Sequence, residues 1–189
     1  MGVRTPALAA ALIAALALPA CKPPPTDAAV ARAAIMPDAG GPSTPLPSPD
    51  TTDAVWAQSG GPLRLVYGAP GEPVLLAIEC IGAETPAAAT LRITRHAPAD
   101  SGAGALLALI GNGRIGRFPV DATPRGDRLM WQGDVPASAP GWDAFKGPRE
   151  ATATVPGAGL VRLNPSPLPL ALVEVCRGIG RPDQSADPA

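Results

Sequence analysis

Gly111-Asn112-Gly113-Arg114-Ile115-Gly116 directly follows the apolar run Ala105–Ile110 and has the glycine spacing that dinucleotide-binding folds place between a strand and a helix. In such folds the pyrophosphate sits at the helix N-terminus. Here Pro119 and Pro124 fall inside the stretch that would form that helix, and Gly126 follows closely. Each interior proline costs a helix ~3 kcal/mol, so the spacing predicts neither a crossover helix nor a dinucleotide cofactor. Asn112-Gly113 instead supplies the positive φ angles of a tight two-residue turn, which predicts a hairpin.

His96 is the only histidine and follows Arg95, with Pro98 two residues on. A neighbouring cation opposes the protonation that a general base needs, which argues against a Ser–His–Asp triad. Lys146 lies in the loop Phe145-Lys146-Gly147-Pro148. A Ser–Lys dyad needs a buried lysine of lowered pKa, and such a loop predicts a solvated one. No catalytic set emerges, and the chain is expected not to be an enzyme.

Arg92, Arg95, Arg114, Arg117, Arg125 and Arg128 fall within neighbouring candidate strands and turns. Guanidinium forks suit phosphates and carboxylates, so Arg92, Arg95, Arg114 and Arg117 are candidate ligand-binding residues. The plainer alternative is a set of solvated arginines balanced by Asp100, Asp121, Asp127 and Asp134. Trp131 is a further ligand candidate, although tryptophans placed like Trp131 and Trp142 are more often core anchors than ligand platforms.

The elements that would position these residues come from the apolar pattern of Ala54–Arg181. Strands are predicted at Leu63–Tyr67, Val74–Cys80, Leu91–Arg95, Ala105–Ile110, Arg114–Val120, Leu129–Gln132, Ala151–Val155 and Leu160–Leu163. Leu91 and Ile93 alternate with Arg92 and Thr94, the period of a half-buried strand. Spacing of this kind with turn signals between predicts an all-β fold: a small β-sandwich or partly open barrel. Trp142–Phe145 is predicted as a single helical turn, and Leu168–Arg177 as a short closing helix capped by Gly178. Residues 182–189 are polar and are expected to be a disordered tail.

Residues 21–53 contain Pro23-Pro24-Pro25 and the series Pro42, Pro45, Pro47, Pro49, with few large apolar side chains. Such composition predicts a flexible, extended tether. The whole chain has formal charge −1, with 26 Pro, 21 Gly and only 3% aromatic residues. Its arginines are scattered, so no basic face of the kind nucleic acid requires is expected.

Ahead of the tether, Arg4 is followed by the uninterrupted apolar stretch Ala7–Leu18 and then by Pro19-Ala20-Cys21. A helix of that length spans roughly 18 Å, short of a ~30 Å bilayer core. Residues 1–20 are therefore predicted to be a cleaved export signal. Leu18, Ala20 and Cys21 resemble the lipobox of bacterial prolipoproteins, with Pro19 replacing the usual small residue. The resemblance implies cleavage before Cys21, its acylation, and anchorage in the cell envelope. Lys22 in place of Asp implies the outer membrane, facing the periplasm.

Lipidation of Cys21 leaves Cys80 and Cys176 as an even pair in an oxidising compartment, and predicts a disulfide between them. With that pair engaged and one histidine in the chain, no ordinary metal-ligand set is available, and no metal or other cofactor is expected. The layout of Ala54–Arg177 resembles β-sandwich domains of envelope-associated accessory proteins, among them a family linked to type VI secretion. A strand ending in Cys80, an Arg117-to-Asp121 strand containing Pro119 and Val120, a strand bearing Trp131 and a helix ending in Cys176 carry that resemblance. Periplasmic lysozyme-inhibitor lipoproteins are similar in size and disulfide, but the Ser-Gly and Tyr inhibitory loop has no counterpart here. The expected function is a non-catalytic envelope lipoprotein with a protein partner. The alternatives are an inhibitor of a cell-wall hydrolase and a periplasmic hydrolase.

Overall fold

The structure, a computed structural model, describes residues 44–81 and 89–179. The expected signal peptide, Cys21, most of the expected tether and the tail 182–189 lie outside the described residues.

Nine strands form one antiparallel sheet: β1 Val55–Gln58, β2 Arg64–Gly68, β3 Leu76–Ile81, β4 Thr90–Pro98, β5 Gly104–Gly111, β6 Arg114–Arg125, β7 Arg128–Pro136, β8 Ala151–Thr154 and β9 Leu160–Leu163. Their spatial order is β1-β2-β3-β4-β7-β6-β5-β8-β9, and the sheet curls nearly closed into a barrel. The fold is thus all-β and barrel-like, as the spacing of apolar runs predicts. The helix α1, Leu168–Ile179, packs against β1–β4, and a 3-10 turn spans Pro140–Phe145. Gly178 lies inside α1 rather than capping it; its φ is not left-handed.

One strand escapes the apolar pattern. In β1 only Trp56 points into the core, so there is no alternation to read. β6 runs five residues past its predicted end because it changes partner on the way. It pairs with β5 through Asp121 and with β7 from Asp121 onward. Pro119, which has no N–H to give a ladder, sits just before that change of partner. Its carbonyl lies so close to the Gly133 backbone that a Cβ at 133 would collide with it.

The glycine-rich motif is a hairpin. Gly111 pairs with Arg114 across Asn112 (φ 49°) and Gly113 (φ 75°), a turn of the type in which both central residues need positive φ. Its remaining glycines serve packing. A Cβ on Gly111 would stand 2.6 Å from the Ala144 carbonyl oxygen, and one on Gly116 would stand 3.0 Å from that of Gly141. Asn112 Nδ2 donates to the Ala144 carbonyl at 2.9 Å, and its Oδ1 accepts from Arg149 N–H at 3.1 Å. The spacing that mimics a phosphate loop therefore lets a hairpin lie against the 3-10 turn.

The barrel's seam, between β1 and β9, is stitched by side chains. Just after β9, Asn164 donates its N–H to the Tyr67 hydroxyl at 2.9 Å and its amide to the Thr51 and Ala54 carbonyls, both at 2.8 Å. The last residues of the expected tether take part. Leu46 N–H donates to the Gly157 carbonyl, and Ser48 Oγ accepts from Leu160 N–H. These proline-spaced residues stay extended yet offer isolated bonds, so residues 46–51 are held along β9 and its turn.

Leu172, Val173 and Cys176 form the buried stripe of α1, and Cys176 is bonded to Cys80 of β3 with a Cα–Cα distance of 5.7 Å. The bond closes a loop of 96 residues. Chain-entropy arguments assign a loop of that size about 4.7 kcal/mol, whereas removal of native disulfides typically costs ~2–5. A Cys80→Ala/Cys176→Ala variant should therefore lose ~2–4 kcal/mol in denaturant titration. Unchanged stability would contradict a helix held down by this bond.

Candidate functional site

The outer face of β2, β3, β4 and β7 places charges by register alone. Arg64 pairs with Glu79, Glu79 with Arg92, and Arg92 with Asp134, so four strands carry a row of alternating sign. Arg92 holds Asp134 with two bonds of 2.7 and 2.8 Å, whereas Arg64 and Glu79 approach only to 3.9 Å. The bidentate pair raises the Arg92 pKa, and it pulls the Asp134 carboxyl below its ordinary value.

Four residues beyond Arg92 on β4 lies His96, in a shallow cavity of about 140 Å³ whose lining includes Arg64, Glu79, Arg92, Thr94, Arg125 and Met130. Glu79 stands near Arg64 and Asp134 holds Arg92, which leaves Arg125 as the lining cation without a salt bridge among the described residues. Arg125 reaches the Gln132 side-chain oxygen, an amide rather than an acid, and shares it with the Thr94 hydroxyl. Burial holds the His96 pKa below its ordinary value, and the charges of Arg64, Arg95 and Arg125 lower it further. His96 is therefore neutral at pH 7 beside the half-buried Arg64 and the exposed Arg125, an arrangement suited to accept an anion.

The five ligand-binding candidates are not gathered in one place. Arg92 lies in the charged row. Arg114 and Arg117 are exposed on the β5–β6 hairpin. Trp131 is in the core, 8% exposed, because its parity on β7 points inward. Arg95 also points inward and is 4% exposed. Its Nη1 donates to the Leu75 carbonyl at 3.0 Å, and its Nη2 to the Ala158 carbonyl at 2.8 Å. Contrary to the expectation from sequence, Trp131 and Arg95 therefore serve the interior and not a ligand. Arg64 and Glu79 went unrecognised because the strand alternation gives their outward parity, while their place beside Arg92 depends on register between strands.

Other candidate chemistry is scattered. Trp142 is fully buried, and its indole N–H donates to the Pro136 carbonyl at 3.1 Å. Lys146 is exposed. Among the described residues no serine lines the cavity at His96. Among the described residues no group of three or more His, Cys, Asp or Glu is placed to hold a metal ion. No protein family, curated protein or solved structure matches this chain.

The depressed His96 pKa fixes a sign for the pH dependence of folding. As pH falls below 6.5, the ordinary value, the unfolded chain takes up the histidine proton before the folded one does. The contribution of neutral His96 is present above that pH and lost as pH falls toward the folded-state pKa. His96→Asn should flatten this part of the stability curve, measured by denaturant titration between neutral and mildly acidic pH. A slope identical in the two proteins would contradict the buried, cation-flanked histidine.

Proposed function

We propose that the chain is a bacterial envelope lipoprotein, acylated at Cys21, whose β-barrel is a non-catalytic binding module for an acidic group of a protein partner. One observation carries the binding part: Arg64 and Arg125 line the cavity at His96, and Arg125 bonds to an amide rather than to an acid. A carboxylate placed there would gain charge-assisted bonds that Gln132 offers only weakly. Arg64 and Arg125 are the residues proposed to touch it, with Arg92 held back by Asp134. The lipobox and the proline-rich segment behind it support the anchor and the envelope location.

A photo-crosslinking residue in place of Thr94 should trap a partner in intact envelopes, and Arg64→Ala/Arg125→Ala should lose that product. A product undiminished by the double substitution would contradict the groove. The anchor is tested separately. Mass spectrometry of protein taken from its native envelope should find Cys21 as an acylated first residue. An unmodified Cys21, or a chain still carrying residues 1–20, would contradict it.

A further inference from the structure

The Asn112-Gly113 turn is also the centre of a charge cluster. Arg114 and Arg117 are exposed on β6. Asn112 bonds to Ala144 and Arg149, which brings the loop holding Lys146 and Arg149 beside the same turn. All four cations are exposed, and none forms a salt bridge among the described residues. The neighbouring acid Glu150 is held by Arg162 at 3.1 Å, so the turn and its loop keep a net positive charge.

Among these cations stand large apolar side chains that the fold leaves in solvent. Ile110 and Ile115 face each other across the hairpin and are 43% and 54% exposed. Along the same outer face Ala108 pairs with Arg117, and then Leu106, 53% exposed, pairs with Pro119. The stripe runs apolar, cationic, apolar. A two-residue turn is convex and offers no pocket for a partner's side chain. Its complement is a broad surface that accepts aliphatic groups and attracts cations together, which an anionic lipid headgroup layer does.

We propose that the β5–β6 hairpin tip docks on an anionic phospholipid surface, with Ile110 and Ile115 entering the headgroup layer and Arg114, Arg117, Lys146 and Arg149 facing its phosphates. The site is separate from the groove at His96 and does not depend on acylation. It gives the barrel a second, reversible attachment.

The test uses the full chain carrying Cys21→Ser, which removes any acyl group, mixed with vesicles and sedimented. It should bind vesicles containing phosphatidylglycerol, release in high salt, and leave phosphatidylcholine vesicles unbound. Arg114→Ala/Arg117→Ala should weaken binding by roughly twenty-five-fold, at about fivefold per surface cation. Ile115→Asp should weaken it further, and thermal melts of these exposed-site variants should match the parent. Arg64→Ala/Arg125→Ala should bind vesicles normally, which separates this site from the partner groove. Equal binding to neutral vesicles, or binding unaffected by the tip variants, would overturn the proposal. So would a dimer in solution that Ile115→Asp dissolves, because the tip would then be a protein contact.

Discussion

Arg95 is a guanidinium inside a β-barrel, held by carbonyl oxygens. Burying a cation costs several kcal/mol unless bonds replace its water. The chain meets that cost with backbone acceptors from three places: Leu75 ahead of β3, His96 beside it, and Ala158 in the β8–β9 turn. The last of these matters most for the fold. It reaches from the middle of the sheet to the turn against which residues 46–48 are pinned, and so it draws the seam together. Among the described residues its Nε and the indole Nε1 of Trp131, its register partner, are buried without hydrogen-bond partners, so the arrangement is stabilising only as a whole. Desolvation lowers the Arg95 pKa to about 10, which still leaves it charged at neutral pH.

The two ends of the barrel are consequently locked by different chemistry. Cys80 pairs with Leu91 on β4, four residues, or ~13 Å, from the pairing of Leu76 with Arg95. At the Cys80 end a disulfide and the buried face of α1 close the core. At the other end Arg95 spans the mouth. Between them Leu, Ile, Val and Trp side chains fill the interior, and recognition is left to the outer surface. There the charge of Arg95 is felt again through His96, the next residue, whose side chain faces outward. A structural cation thus contributes to the field of the proposed binding groove.

Local rules made much of this legible. Alternation at Leu91–Arg95 gave the inward and outward faces of β4, Asn112-Gly113 gave the hairpin, and the parity of cysteines gave the Cys80–Cys176 bond. What local rules missed depends on pieces distant in the chain. The row Arg64, Glu79, Arg92, Asp134 needs the register of four strands. The role of Gly116 needs Gly141 packed behind it, and β1 needs a partner strand to be recognised at all. Arg95 shows the limit best. Alternation with Ile93 already points it inward, but an arginine invites a surface reading, and only Ala158, in a turn far along the chain, explains why it is tolerated inside.

Burial, reinforced by nearby guanidinium charge, holds the histidine of the groove neutral. The most direct measurement is the pKa of His96, read by proton NMR and unambiguous because the chain has one histidine. The account predicts a value clearly below the ordinary 6.5, which rises when Arg64 and Arg125 are both replaced by Ala. A pKa at or above 6.5 in the unsubstituted protein would contradict it.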